Sequence, residues 1–213
     1  EIEVDLAVDK NDRIARLRHI IDVRLSELDD VAGAFADAVT LLQLAPERDE
    51  IRQLLDELAA RHSAREQQAA LLVSVAEHFA GAPLRVVLLR EAADIACTEL
   101  IQPERAIQLY ADVLNSAGDD RDNACLAAHR LDQLLAQANL PSQRCDVLEQ
   151  LADLERDPAI RRQALGEAAI VALDELNDPE RAVKCWRKRL ADDADDSAAR
   201  DGLVIALERT SQY

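Results

Sequence analysis

Two segments of this chain repeat one pattern. ELIQPERAIQLYADVL runs from Glu99 to Leu114, and ELNDPERAVKCWRKRL runs from Glu175 to Leu190. PERA is identical in both, and the apolar positions around it mostly agree. The correspondence extends upstream. Glu91, Ala92, Ala93 and Ala96 fall on Glu167, Ala168, Ala169 and Ala172, and Leu55, Leu58, Leu72 and Ala76 fall on Leu131, Leu134, Leu148 and Ala152. A third, weaker copy, ELDDVAGAFADAVTLL (Glu27–Leu42), precedes the first, with Val31 in place of the proline and Ala38 in place of the aromatic. A chain repeats itself at a fixed period when like units stack and each buries its apolar face against the next.

Those units are helical. Apolar residues make up 49% of the 213, mostly Ala and Leu, with only 2% aromatic, 5 Gly and 6 Pro. Good helix formers dominate and strand formers are few. A unit of about 76 residues holds four helix-sized segments, so the elementary repeat is a helix pair of about 36–38 residues. The spacing predicts helices near 12–27, 31–44, 48–61, 64–80, 83–99, 103–117, 121–138, 142–155, 158–175, 179–191 and 196–210. Pro103 and Pro179 suit a first helical turn, where a missing N–H does no harm. Asp178 suits the cap before Pro179, and Gln102, at the same place in the earlier copy, is a poorer one. The expected organisation is one array over 1–213: pairs 12–44, 48–80, 83–117, 121–155 and 158–191, then a last helix.

These segments resemble the tetratricopeptide (TPR) repeat family, in the divergent form found in long bacterial repeat proteins. The second-helix signature falls on Ala106 and Tyr110, then on Ala182 and Trp186, each pair following Pro103 or Pro179. The first-helix signature falls on Leu89, Ala92 and Ala93, then on Leu165, Ala168 and Ala169. The chain departs from the pattern at Arg189, where an apolar residue is expected, and in AGDDRD and ADDADD, which stand where the family has a proline. The resemblance implies an all-α fold, a right-handed α-solenoid of stacked antiparallel pairs, and a non-catalytic scaffold that binds a protein or peptide. It also implies that first helices line a concave face. The positions pointing inward would be Arg18 and Asp22, Gln53 and Glu57, Arg90 and Asp94, and His129 and Gln133. Members of each pair are four residues apart and share a helical face. The simpler reading of Arg18–Asp22 and Arg90–Asp94, and the one the spacing favours, is a surface ion pair. A spacer or self-assembling segment is the alternative role.

The charge narrows the partner. A net charge of −17 repels nucleic acid and anionic membranes. No apolar run is long enough for a membrane span. The chain begins at Glu1 and contains no Met, so it is expected to be a piece from which targeting segments have been cut, and the cytoplasm is expected rather than the envelope. Cys97, Cys125, Cys145 and Cys185 match no ligand or redox spacing and read as small core residues. His19, His62, His78 and His129 join no nucleophile or metal motif, and no cofactor is expected. The acidic run ADDADDS (Ala191–Ser197) is either a cation site or, in the simpler reading, a turn in which Asp195, Asp196 or Ser197 caps the last helix.

Overall fold

The computed structural model describes residues 9–210, which are all-α. The helices are α1 (Lys10–Ser26), α2 (Val31–Leu44), α3 (Asp49–Arg61), α4 (Arg65–Glu77), α5 (Pro83–Thr98), α6 (Pro103–Ser116), α7 (Arg121–Gln137), α8 (Pro141–Leu154), α9 (Pro158–Ile170), α10 (Pro179–Asp192) and α11 (Ser197–Thr210). Local chemistry accounts for the boundaries. Asp9, Asp30, Asp120, Asp157 and Asp178 accept backbone N–H groups from the first turns of α1, α2, α7, α9 and α10. Proline occupies the first turn of α5, α8, α9 and α10.

The chain forms two compact units, divided within α6 between Ala106 and Ile107. In the first, α1 packs on α2, α2 on α3, α3 on α4, α4 on α5. In the second, α7 packs on α8, α8 on α9, α9 on α10, and α10 on α11. Small residues let the helices approach. Ala92, Ala93 and Ala96 of α5, and Ala168, Ala169 and Ala172 at the matching places of α9 and the turn after it, are fully buried. Leu89, Leu165, Ala106, Ala182, Tyr110 and Trp186 are buried as well.

The backbone carries the repeat more sharply than the side chains do. Ser63, Ile101, Asn139 and Asn177 all have positive φ, between 51° and 55°, and recur at one constant interval. Each lies in the turn between the two helices of a pair, as does Asp29. The turns come in two kinds. After Asp29, Ile101 and Asn177 the next N–H reaches back six residues, to Arg24, Ala96 and Ala172. After Ser63 and Asn139 it reaches back five, to Ala59 and Leu135. Alternation of the two explains why copies of the sequence match best when they are two pairs apart rather than one. α9 also holds one residue more between its first-turn proline and Asn177 than α5 holds before Ile101. Its end widens into a π-helical turn, Val171–Glu175, that takes up the excess. The apolar spacing carried no sign of it.

Ile101 is the costly member of this series. A β-branched residue fits positive φ poorly, and this one is 80% exposed, so packing returns little. Ile101→Asn, the residue found at 139 and 177, should stabilise the protein by about 1 kcal/mol. Thermal unfolding of the two proteins checks this, and an unchanged or lower midpoint contradicts it.

All four cysteines are free thiols, but only Cys145 and Cys185 lie in the core. Cys97 and Cys125 are half-buried, a correction to the expectation that all four are core residues. Each sits one residue, or about 100° of helix, beyond a buried alanine, Ala96 or Ala124. Burial pushes Cys145 up to about 11 and Cys185 up to about 12. Native-state alkylation should therefore label Cys97 and Cys125 first, with Cys145 and Cys185 reacting only on unfolding, as peptide mapping by mass would show.

Candidate partner-binding groove

The first helices α1, α3 and α5 carry the polar positions at issue. On α1, Ile14, Leu17 and Ile21 are buried, which turns Arg18 and Asp22 away from the core. On α3, Ile51, Leu55 and Leu58 do the same for Gln53 and Glu57. On α5, Leu89, Ala92, Ala93 and Ala96 leave Arg90 and Asp94 on the outer flank.

Two concavities in the first unit gather these residues. Arg18 and Asp22 face Glu50, Gln53, Leu54 and Glu57 across a space of about 340 Å³. Gln53 and Glu57 also face Arg90 and Asp94 across a larger one of about 580 Å³. Because Gln53 and Glu57 line both, the two form one groove over α1, α3 and α5. His129 and Gln133 do not join it. His129 lines a separate space of about 70 Å³ in the second unit, with its Nε2 3.6 Å from Glu155, and Gln133 is exposed on α7.

The groove wall is held by arginines. Arg52, its side chain 10% exposed, donates from Nε to Glu91 at 2.9 Å and from Nη1 to the Pro46 carbonyl at 2.6 Å, and also holds Asp49. Burial pushes the Glu91 carboxyl above its ordinary range, against the pull of Arg52. Arg65 holds Asp56 and donates to Gln68 at 2.8 Å, and Gln68 Nε2 donates to Asp56 at 3.1 Å. Arg18 pairs with Glu50 at 3.3 Å, from α1 to α3, rather than with its own-helix neighbour Asp22. The carboxylates of Asp22 and Glu57 have no hydrogen bond or ion pair among the described residues. Nε of Arg18 and Nε of Arg90 are buried without an acceptor.

Three features were not foreseen from sequence. The PERA arginine is a tie between second helices: Arg105 donates to Glu66 of α4 at 2.5 Å, and Arg181 donates to Glu149 and Asp146 of α8, each at 2.5 Å. Arg189 lies 5.6 Å from the Trp186 ring centroid and donates to Asp196 at 2.7 Å, and Asp196 caps α11 by accepting from Ala199 N at 3.0 Å. The indole also lies so close to Gly202 that a Cβ there would sit 2.5 Å from Cε2. The acidic run is thereby resolved. Asp192, Asp193 and Asp195 pair with Arg161, Arg162 and Arg200, while Asp196 is the cap. Among the described residues no His, Cys, Asp and Glu side chains group in a way that could hold a metal ion.

No family model matches the chain, and no curated protein matches it. Solved structures do resemble it. The TPR-like repeats of a putative kinesin light chain from Podosopora anserina superpose at a TM-score of 0.46 and 16% identity, over 86% of this chain and 98% of that one. BtubC (BKLC) from P. vanneervenii does so at 0.46 and 16%, over 91% and 84%. A chain of the APC/C hetero-tetramer Cut9–Hcn1 does so at 0.37 and 14%, over 95% of this chain and 50% of that one. The fold of this chain is TPR-like: paired helices, small residues at matching places and a positive-φ turn recurring once in every pair.

Proposed function

We propose that the chain is a non-catalytic interaction module whose groove over α1, α3 and α5 holds a segment of another protein. The observation that supports this is the sharing of Gln53 and Glu57 between two adjoining concavities, which joins them into a polar surface reaching over three helices. Arg18, Asp22, Arg90 and Asp94 complete its polar lining. Nucleic acid is opposed by the net charge of −17, and no described helix is long and apolar enough to cross a membrane. Four free thiols support the cytoplasm as its compartment.

The test is affinity capture from the source cell with the protein and with Gln53→Trp, which fills the groove where both concavities meet. Capture of a defined protein that Gln53→Trp abolishes, at unchanged melting temperature, supports the reading. Equal capture by both moves the binding face elsewhere. A second reading, self-assembly, is favoured by Val204, Ile205 and Leu207, which are 54%, 49% and 39% exposed on α11. Sedimentation across a concentration series separates the two, since self-assembly shifts with concentration.

A further inference from the structure

We propose that the occupant of the groove is an extended cationic peptide segment, its Arg or Lys side chains at Asp22 and Glu57 and its backbone carbonyls on Arg18 and Arg90. The proposal rests on the groove being the binding face.

The groove holds eight carboxylates and four arginines. Three of those arginines are already engaged by lining carboxylates: Arg18 by Glu50, Arg52 by Glu91 and Asp49, Arg65 by Asp56. Their charge is spent within the wall. Asp22 and Glu57 keep theirs for an incoming group, and a concave wall between low-dielectric helices concentrates that field. A cation alone does not meet every group present. Arg18 and Arg90 stand at the same position of the repeat, and each lines the groove with a guanidinium that can donate hydrogen bonds to an occupant. A peptide backbone supplies carbonyl acceptors at short regular intervals, and its side chains supply the cations. A simple polyamine supplies only the second. A second copy of this chain, at a net charge of −17, is repelled by the same field.

The probes are a capped Gly/Ser peptide carrying four arginines, the same peptide with four glutamates, and spermine, titrated by fluorescence anisotropy or calorimetry at low and physiological salt. The arginine peptide should bind and the glutamate peptide should not. Asp22→Lys with Glu57→Lys should weaken the arginine peptide by at least tenfold. Glu180→Lys with Asp201→Lys, an equal charge change on exposed positions outside the groove, should weaken it by less than twofold. Arg90→Met is decisive. It removes a positive charge, so a groove acting through its field alone would hold the arginine peptide more tightly. The proposal expects several-fold weaker binding of the peptide and no weakening of spermine. Tighter peptide binding by Arg90→Met, equal effects of the two charge reversals, or binding of the glutamate peptide overturns it. If Gln53→Trp abolishes capture of a native partner while the charge reversal leaves it intact, the groove reading stands and the cationic occupant falls.

Discussion

Trp186→Ala should destabilise the protein by about 3–5 kcal/mol, with the damage centred on α10 and α11. The indole is 6% exposed and fills the space between its own helix and α11. Arg189 stacks on it and carries Asp196, the cap of α11, so loss of the ring also loosens the start of the next helix. In a stack where each helix leans on its neighbours, such a loss spreads to adjacent elements. Urea unfolding, with hydrogen exchange to locate the loss, measures both magnitude and place. Gly202→Ala adds a sign test. Alanine normally improves a helix interior over glycine by about 0.5–1 kcal/mol. Here its Cβ would strike the indole, so the change should destabilise the natural protein and stabilise the Trp186→Ala variant. Additive effects in the two backgrounds would separate Gly202 from Trp186. A Trp186→Ala protein that keeps its melting temperature but loses a partner would move the indole from packing to binding.

Arg52→Ala should cost about 2–3 kcal/mol at neutral pH, because it leaves Glu91 half-buried without its partner. The loss should shrink on acidification. Glu91 already has a folded-state pKa above its ordinary 4.5. A carboxyl raised in this way binds more protons folded than unfolded, so its contribution to stability grows as pH falls through the folded value. Removing Arg52 raises it further and enlarges that gain. Asp30, Glu66 and Asp196 act in the opposite sense. Hydrogen bonds hold them below the ordinary range, so their contribution is present above the unfolded pKa and lost as pH falls through the folded one. The natural protein and Arg52→Ala, melted side by side from neutral to acidic pH, should therefore converge. Parallel curves would mean that Arg52 acts through packing alone.

Helices and their order were legible because periodic leucine and alanine, proline at first turns and aspartate at caps all speak locally. Each boundary depends on a few adjacent residues, and expected and observed ends agree closely, apart from the π-helical end of α9. What was not legible depends on which way a side chain turns and what it meets across a turn or on another helix. Arg189 looked like a flaw in an apolar pattern until Trp186 and Asp196 stood on either side of it. Gly166 and Gly202 each face the Trp186–Arg189 cluster from another helix, and nothing in their local sequence signals it. For the groove, the resemblance implied the positions on α1, α3 and α5, and a spacing of four residues put each pair on one helical face. It could not show that Arg18 reaches across to Glu50 instead of along its own helix to Asp22.

The two alternating turns limit how a chain of this kind can change length. Duplicating one pair would set two like turns side by side and break the alternation. Two pairs together, from one Glu-Leu turn to the next, form the smallest segment that can be copied or excised with the order kept. Glu99–Gln102 and Glu175–Asp178 bound such a segment, and the helices that these two turns introduce both open on PERA. Chimaeras built from this chain should accordingly be cut at those two turns, and at Glu27–Asp30, rather than at Ser63 or Asn139.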